Sequence, residues 1–309
     1  MNKVIITGAD GFIGSSTVGY FLNKGWTVLA LDIAEVPLRL TEVQPNLIYR
    51  RWDASDPEDL PESVWNQEWD VFIHFAWNGS AGPKRLDLDL QVENAKNTAE
   101  CIKLAKALGC KKFVGAGSLM EYEVAAATHG DVNLTSTNLY GYAKSLAHYL
   151  GKLEAQRQGI DFVWGIITNV YGPGETANRF INSTIRKIVI DGETELDFSA
   201  GTQNYDFVYI TDAANAFYCL ATAGVNNHEY VITSGQAKPL SEFVCDLIDV
   251  CNDEVMPFFD LHKTVDCELP LEIFSPDKMF QETGYKATVP FKLGIKNTKE
   301  YIKNGKLFF

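Results

Sequence analysis

A glycine-rich stretch, Thr7-Gly-Ala-Asp-Gly-Phe-Ile-Gly14, decides the fold of this chain. It joins a short apolar run, Val4-Ile-Ile, to a helical pattern over residues 13–24. Glycines permit a tight turn and let the backbone approach a pyrophosphate, whose charge then lies at a helix N-terminus. The spacing is Gly-x-x-Gly-x-x-Gly rather than the more common Gly-x-Gly-x-x-Gly. The flanking strand and helix favour a dinucleotide site over a glycine-rich turn that binds nothing.

The first half of the chain alternates short apolar runs with helical patterns, which is typical of parallel strands joined by crossover helices. The predicted strands are residues 4–6, 27–32, 47–52, 70–75, 112–117 and 161–167, and the predicted helices include 13–24, 90–108 and 140–156. This pattern predicts an α/β fold with a Rossmann-like, doubly wound parallel sheet. Such a sheet binds ligands at the carboxyl ends of its strands.

The alternation ends near Val170, where Tyr171-Gly-Pro-Gly174 is a turn and irregular short elements follow. We expect a dinucleotide-binding Rossmann domain over residues 1–169 and a smaller mixed C-terminal substrate lobe over residues 170–309. Residues 204–209 and 230–233 are candidate strands that return to the main body, so no sharp boundary is expected.

Composition narrows the class of protein. The 309 residues are 46% hydrophobic and 22% charged, as in ordinary globular proteins. The net charge of −13 argues against nucleic-acid or anionic-membrane partners, although local groups can still hold a phosphate-bearing ligand. A strand that starts near Lys3 leaves no room for a signal peptide, and no apolar run approaches the ~18 residues of a membrane span. We expect a cytoplasmic protein.

The cysteines predict neither a metal site nor a disulfide framework. They include no Cys-x-x-Cys and no cluster with histidine. Reduced, mostly buried thiols are expected at positions 101, 110, 219, 245, 251 and 267.

A candidate catalytic pair lies in Tyr140-Gly-Tyr-Ala-Lys144. Positions i and i+4 of a helix share one face, so the phenol and the ammonium can reach the same small volume. A neighbouring positive charge lowers the pKa of a phenol toward the range useful for acid–base catalysis. The pair alone is common on helix surfaces, and its significance comes from the motifs around it.

Asp32 ends the second predicted strand, where a carboxylate accepts hydrogen bonds from both ribose hydroxyls of NAD and repels the 2′-phosphate of NADP. This position favours NAD, although Arg39 is close enough in sequence to keep NADP as an alternative. Asp53 and Ala54 follow the third strand and suit either an adenine contact or a turn cap.

Together, these features resemble the extended short-chain dehydrogenase/reductases, the NAD-dependent nucleotide-sugar epimerase/dehydratase family, over nearly the whole chain. The matching segments are the glycine motif, His74-Phe-Ala-Trp77, Asn94, Ser118-Leu-Met-Glu-Tyr122, Tyr140 with Lys144, Asn169-Val-Tyr-Gly-Pro173 and the stretch from Gly201 to Asp212.

The resemblance implies catalytic roles for Ser118, Tyr140 and Lys144. Tyr140 would exchange a proton with a sugar hydroxyl or ketone oxygen while a hydride moves to or from nicotinamide. Ser118 would hydrogen-bond that oxygen, and Lys144 would bind the nicotinamide ribose and lower the pKa of Tyr140. The implied cofactor contacts are Gly8, Gly11, Phe12, Ile13, Gly14, Asp32, Asp53, Ala54, Phe75, Ala76, Trp77, Asn94, Tyr140 and Lys144.

Substrate contacts are implied for Ser118, Asn169 and Arg179. Simpler roles remain open, since Ser118 can cap the turn after strand five and Asn169 can bond its own turn. Tyr205 replaces the arginine with which the family usually holds a substrate diphosphate. Arg179 or Arg186 are the candidate replacements, because arginine binds phosphate bidentately, and a solvated surface position is expected for Arg186.

The departures from the family pattern narrow the reaction. Leu119 and Met120 occupy the positions of the acid–base Asp-Glu pair of the family's sugar 4,6-dehydratases, so dehydratase activity is disfavoured. The remaining reactions are those of a 4-ketoreductase, an epimerase and a sugar dehydrogenase acting on a nucleotide-linked sugar. The Gly-Ser-x-x-Glu-Tyr form of residues 117–122 most resembles reductases of nucleotide-linked 4-keto-6-deoxy sugars.

We therefore expect reduction of a 4-keto-6-deoxyhexose with NAD(H). Asp32 is an argument for an epimerase instead, because many reductases use NADPH whereas an epimerase keeps NAD bound. A non-catalytic dinucleotide sensor is a third possibility, opposed by the retention of all three catalytic residues. The resemblance also implies a homodimer through the predicted helices 90–108 and 140–156. Ala143, Leu146, Leu150 and Leu153 suit either core or partner packing.

Overall fold

The computed structural model describes residues 2–129, 138–260 and 268–304. The strands of the main sheet are β1 (Lys3–Thr7), β2 (Thr27–Asp32), β3 (Leu47–Arg51), β4 (Val71–His74), β5 (Lys112–Ser118), β6 (Asp161–Ile167) and β11 (Glu229–Ile232). Shorter strands are β7 (Asn169–Tyr171), β8 (Glu195–Ser199), β9 (Asn204–Tyr205), β10 (Phe207–Tyr209), β12 (Lys238–Pro239) and β13 (Met256–Asp260).

The helices lie between these strands and at the end of the chain. They are α1 (Phe12–Asn23), α2 (Glu62–Trp65), α3 (Leu88–Ala107), α4 (Met120–His129), α5 (Leu139–Gln158), α6 (Phe180–Val189), α7 (Ile210–Ala223), α8 (Leu240–Cys251), α9 (Asp277–Thr283) and α10 (Phe291–Lys303). Short 3-10 helices cover Pro83–Leu86 and Leu271–Phe274.

The main sheet has seven strands in the order β11-β6-β5-β4-β1-β2-β3, and every pairing in it is parallel. β1 lies inside the sheet, where Lys3 pairs with Thr27 of β2 and Thr7 pairs with His74 of β4. The predicted α/β fold with a Rossmann-like parallel sheet is confirmed. The six strands predicted in the first half are all present, and no end differs from the predicted one by more than one residue.

Helices cover both faces of the sheet because successive side chains of a strand point to opposite sides. Val4 and Ile6 of β1 belong to a core with α1 and α7, which includes Phe21 and Phe217. Ile5 points the other way, into a second core beneath α3 and α5. This burial on both faces explains why the central strands read as continuous apolar runs rather than as alternating ones.

The remaining elements form a third core beside the carboxyl edge of the sheet. Phe207 of β10, Phe243 of α8 and Phe291 of α10 pack edge to face or tilted, with ring centroids 4.8 to 5.6 Å apart. β10 pairs with β7, whereas β11 joins the main sheet beside β6. Of the two candidate returning strands, residues 230–233 thus overlap a main-sheet strand, and residues 204–209 lie beside it in two-stranded sheets.

Buried thiols occur in both halves of the chain. Cys101, Cys110 and Cys251 are buried, Cys219 is half-buried, Cys245 is exposed, and Cys267 lies outside the described residues. Within the described ranges, no helix has the length and apolar character needed to cross a bilayer. The same ranges hold no group of three or more His, Cys, Asp or Glu residues placed to bind a metal.

A pair of glycines in α1 gives a matched test of the glycine turn. A side-chain carbon at Gly14 would clash with the Gly8 carbonyl oxygen, whereas Gly19 has no heavy atom within 4 Å of that position. We expect Gly14→Ala to lower the free energy of unfolding by about 1–3 kcal/mol. Gly19→Ala should raise it by about 0.5–1 kcal/mol, because alanine restricts the unfolded chain. Urea denaturation measures both, and equal stability of the two variants would contradict this account of the turn.

Candidate active site

A cleft of about 1170 Å³ runs along the carboxyl edge of the sheet, between the sheet and the C-terminal elements. The carboxyl ends of parallel strands meet at this edge, which is where such folds bind ligands. Its lining includes every residue that the sequence predicted for the site: Gly8, Gly11, Phe12, Ile13, Gly14, Asp32, Asp53, Ala54, Phe75, Ala76, Trp77, Asn94, Ser118, Tyr140, Lys144, Asn169 and Arg179. Arg186, in contrast, is exposed on α6.

The glycine turn forms one end of the cleft. Gly8 has a φ of 62°, a conformation that favours glycine, and Gly11 precedes the first residue of α1. No side chain caps this helix N-terminus, so its first N–H groups remain available to an anion. The turn therefore fits the pyrophosphate of a dinucleotide.

Asp32 lies at the end of β2, on the same side of the cleft. Its carboxylate accepts hydrogen bonds from the backbone N–H of Asp10, at 2.9 Å, and of Ala34, at 3.3 Å. These bonds fix a negative charge where the ribose hydroxyls of a dinucleotide would lie, which favours NAD over NADP.

Arg39 spans the cleft instead of lying free beside Asp32. Its guanidinium donates to the carbonyl of Asp10 at 3.1 Å, to the carbonyl of Gly174 at 2.9 Å and to the hydroxyl of Thr176 at 3.2 Å. The buried Asp10 carboxylate holds the same segment by accepting three backbone N–H groups, those of residues 38, 39 and 40. We call this connection, residues 38–40 with Asp10, Gly174 and Thr176, the Arg39 strap.

Asp53 caps its own turn, which is one of the two roles that its position suggested. One carboxylate oxygen accepts from the backbone N–H and the hydroxyl of Ser55, both at 2.9 Å, which is a turn cap. Asp53 and Ala54 also line the cleft, at the end near Asp32.

The segment after β4 forms the wall between the two ends of the cleft. The Trp77 indole donates to Gln91 at 2.9 Å, and Asn94 accepts from the N–H of Asn78 at 3.0 Å and donates to its carbonyl at 2.8 Å. Asn94 thus fixes a backbone segment of the wall.

Ser118, Tyr140 and Lys144 meet at this wall. Ser118 ends β5, and the other two lie in the first turns of α5. The Ser118 side chain lies near the Tyr140 hydroxyl and is among the groups that lower the pKa of that phenol against the effect of burial. The Lys144 ammonium donates to the Ala116 carbonyl at 2.9 Å and lies 3.6 Å from the centroid of the Trp77 ring. Ser118 also accepts from the Met120 N–H at 3.3 Å, so it caps the turn while facing Tyr140.

The electrostatics of the pair differ from the expectation that Lys144 lowers the pKa of Tyr140. Burial raises the pKa of Tyr140, and the groups that oppose this are mainly Arg85 and Arg179. Burial also lowers the pKa of Lys144 to about 7, with Glu121 opposing it. The reason is that Lys144 is desolvated beneath Trp77, 5.8 Å from the Tyr140 ring centroid. Near neutral pH, the phenol therefore keeps its proton.

Two further charged residues at this wall belong to no motif that the sequence offered. The Arg85 guanidinium carbon lies 4.3 Å from the centroid of the Tyr140 ring, and the same side chain contacts the sulfur of Met120. Glu123 lines the cleft from α4, and burial raises the pKa of its carboxyl group. The only feature of the sequence that pointed to Glu123 as a site residue was its position just after the Ser118–Tyr122 segment. No feature of the sequence pointed to Arg85.

The end of the cleft away from the glycine turn is formed by residues after β6. Asn169 donates to the carbonyl of Asp206 at 3.2 Å, which ties it to the late motif rather than to its own turn. Arg179 pairs with Glu175 at 3.0 Å and lines the cleft together with Tyr205. Arg179 therefore lies where it can reach a ligand beside Tyr205.

A parallel sheet with a glycine turn at one end of its cleft and a serine, tyrosine and lysine in its wall is the arrangement of a short-chain dehydrogenase/reductase. In agreement, residues 4–233 match the model of the NAD dependent epimerase/dehydratase family, and the chain belongs to this family. It is therefore an NAD-dependent enzyme of the extended type, as predicted from the sequence.

Similar proteins extend over almost the whole chain. A putative UDP-glucose 4-epimerase of Methanocaldococcus jannaschii is 24% identical over 97% of this chain and 98% of its own length. The epimerase Mth375 of Methanothermobacter thermautotrophicus superposes with a TM-score of 0.80 at 18% identity, covering 98% of this chain and 93% of its own. UDP-glucuronic acid 4-epimerase of Bacillus cereus, solved with NAD, gives 0.75 at 20% identity, covering 98% and 99%. The two solved structures support the fold.

The position of Asp32 predicts the cofactor preference. Asp32→Asn keeps an acceptor for the N–H of Asp10 but removes the charge that repels a 2′-phosphate, so the preference for NADH over NADPH should fall about tenfold or more. Fluorescence titration with each cofactor measures this ratio. Glu35→Gln is the control, because Glu35 is exposed and pairs with Arg51 at 3.4 Å. An unchanged ratio in Asp32→Asn would show that Asp32 does not select the cofactor.

Proposed function

We propose that this enzyme reduces the 4-keto group of a nucleotide-diphosphate-linked 4-keto-6-deoxyhexose, with Tyr140 as the proton donor. The observation that carries the proposal is the meeting of Ser118, Tyr140 and Lys144 in a cleft whose other end fits a dinucleotide. A ketone placed at this wall would lie between the serine and tyrosine hydroxyls.

The residues of the wall suit the addition of a proton to a ketone oxygen. NAD(H), when bound, supplies the hydride that the carbonyl carbon accepts. Tyr140 holds its proton near neutral pH and gives it to the oxygen, on which negative charge develops, so that a secondary alcohol results. Ser118 hydrogen-bonds the same oxygen, and the cations of Lys144 and Arg85 stabilise the tyrosinate that is left. Acid–base assistance of this kind is typically worth about 10²- to 10⁴-fold in rate.

The residues next to Ser118 support reduction rather than elimination. Leu119 is buried in an apolar cluster, and Met120 contacts Arg85 through its sulfur. Neither side chain can remove or deliver a proton, so the two positions that would promote loss of a hydroxyl group are chemically inert. Glu123 lies one turn further along α4, where its buried carboxyl group faces Arg85.

The substrate diphosphate is assigned to Arg179. This half-exposed guanidinium lies at the start of α6 and lines the cleft beside Tyr205, the residue that replaces the usual arginine. Arginine suits phosphate because its planar fork donates two parallel hydrogen bonds. Asn169 lines the same end and is assigned to the sugar.

A second candidate function, nucleotide-sugar epimerisation, is favoured by the Arg39 strap. Three hydrogen bonds from one guanidinium join the nucleotide end of the cleft to Gly174 and Thr176. Such a closure would slow exchange of the cofactor, and an epimerase retains its NAD because it oxidises and then reduces the same sugar. The curated relative from Methanocaldococcus jannaschii also carries the name of an epimerase.

Turnover with nucleotide-linked 4-keto-6-deoxy sugars tests the proposal. With NADH or NADPH supplied, a reductase consumes one reduced cofactor for each new secondary alcohol, which absorbance at the nicotinamide band and product chromatography measure together. A changed sugar without net loss of cofactor would instead establish the epimerase. No reaction with any keto sugar, and reduction of NAD⁺ by a saturated nucleotide sugar, would identify a dehydrogenase and overturn the proposal.

In the same assay, Tyr140→Phe should lower kcat by about 10²- to 10⁴-fold and leave NADH binding within about threefold of the unchanged protein. Tyr142→Phe is the matched control, because its hydroxyl contacts Thr128 at 2.7 Å outside the cleft. Biological activity that survives Tyr140→Phe would indicate a dinucleotide sensor.

We also propose that the protein is a homodimer through α3 and α5. These helices pack against each other, and α5 presents a row of partly exposed apolar side chains: Leu146 at 39%, Tyr149 at 65%, Leu150 at 38% and Leu153 at 59% exposure. Ala143, the other residue considered for this face, is buried in the subunit. An apolar row of this kind suits a second copy of the same helix pair.

Sedimentation velocity at micromolar concentration should give a dimer for the unchanged protein and a monomer for Leu153→Glu, because a charge would be buried at the centre of the contact. Leu293→Glu on α10 is the control, since Leu293 is similarly exposed but lies far along the chain in the C-terminal lobe. A monomer in all three samples would count against the homodimer.

A further inference from the structure

A buried carboxylate lies directly beneath the catalytic wall. Glu121, in the first turn of α4, is only 8% exposed. Its carboxylate accepts from the backbone N–H of Ser118 at 2.9 Å and from the Trp164 indole at 3.1 Å, and it pairs with Nδ1 of His148 at 3.1 Å. Three donors from β5, β6 and α5 therefore converge on one negative charge, which is the condition under which a buried carboxylate is retained.

The sheet is shaped to admit this carboxylate. A side-chain carbon at Gly117 would lie 2.5 Å from a Glu121 oxygen and would clash with the Trp164 indole nitrogen. A side chain at position 117 of β5 would therefore displace the Glu121 carboxylate. The His148 ring stacks on Trp164 with centroids 4.8 Å apart, so the partners of Glu121 also hold each other in place.

Glu121 is connected to all three catalytic residues. It binds the backbone of Ser118 directly. Tyr140, Lys144 and His148 are spaced four residues apart on α5 and share one face of that helix, so a bond to His148 restrains the face that carries the other two. The negative charge of Glu121 also raises the pKa values of both Lys144 and Tyr140.

Other ionisable groups surround this cluster. Glu229 of β11 lies 3.7 Å from the second nitrogen of His148 and accepts from the Tyr122 hydroxyl at 2.9 Å. Glu229 lies opposite Trp164 in the β11–β6 pair, and its side chain is 42% exposed. The remaining groups near Lys144 and Tyr140 are His74 of β4, held neutral by burial, and Arg85 and Arg179. Tyr149 lies beside His148 and Tyr122. Of these, Glu121 is the carboxylate that acts on Lys144.

We propose that Glu121 is a positioning residue, whose buried carboxylate holds the backbone of Ser118 and, through His148, the face of α5 that carries Tyr140 and Lys144, and acts electrostatically on the Lys144 ammonium. The inference rests on the proposed roles of Ser118, Tyr140 and Lys144. Glu121 itself lies behind the wall and is not among the residues that line the cleft.

The electrostatic half of the proposal is tested without turnover. Protein labelled with ¹³C at the lysine ε carbons allows the titration of Lys144 to be followed by NMR, with Lys144→Met identifying its signal. The midpoint should lie near 7 in the unchanged protein. Glu121→Gln keeps the shape and removes the charge, so the midpoint should fall by about one pH unit or more. Glu229→Gln should leave it within about 0.3 units. Equal midpoints in Glu121→Gln and Glu229→Gln would overturn the proposal, even if Glu121→Gln is less stable to heat.

The positional half is tested by kinetics and by a second variant. Reduction needs the charged Lys144, so kcat should fall as the pH rises through the Lys144 midpoint, and Glu121→Gln should move this fall to lower pH by the same amount.

Glu121→Asp keeps the charge but cannot reach the Ser118 N–H, so its Lys144 midpoint should stay near that of the unchanged protein while kcat falls about 10- to 100-fold. The Glu121→Asp variant also tests the proposal if Glu121→Gln does not fold. An unchanged kcat in Glu121→Asp would overturn the positional role. Absence of turnover in the unchanged protein would instead count against the proposed function, and the NMR midpoints would still decide the role of Glu121.

Discussion

Parallel pairing of β1 with both of its neighbours is the constraint on which the rest of the structure depends. Because β2 and β4 run in the same direction as β1, their carboxyl ends open onto one edge, and the glycine turn, Asp32 and the Trp77 wall become neighbours. An antiparallel partner at either position would send one of these groups to the opposite edge. The position of the cleft is thus a consequence of strand direction, because the sheet determines where the side chains that line the cleft lie.

Desolvation, more than attraction between opposite charges, sets the protonation states at the catalytic wall. It raises the pKa of the Tyr140 phenol and lowers that of the Lys144 ammonium, and nearby charges only moderate these shifts. The same cause holds His74 neutral, with a pKa of about 3, where its ring contacts Thr7 and Thr98 between β1, β4 and α3. A bound ligand that excludes more water would strengthen each of these effects.

The sequence predicted the sheet because each central strand is a short apolar run between helical patterns, a signal that local residues carry by themselves. In the C-terminal half it offered residues 204–209 and 230–233 as candidate strands but not β8, β12 or β13, since pairs as short as β9 with β12 are made by contacts between distant residues. Motif spacing likewise identified Ser118, Tyr140 and Lys144, which line the cleft together. It could not identify Arg85, which reaches Tyr140 from a 3-10 helix, because only packing sets that approach. Nor could it give the sign of the Tyr140 pKa shift, which depends on burial.

The Arg39 strap connects the two ends of the cleft mechanically. One guanidinium bonds to Asp10 beside the glycine turn and to Gly174 and Thr176, where the C-terminal elements begin, so one side chain joins the two ends of the cleft. A displacement at either end strains the same three hydrogen bonds. A motion that separates Asp10 from residues 174–176 must therefore break hydrogen bonds of one guanidinium, so the two ends of the cleft are coupled through a single side chain.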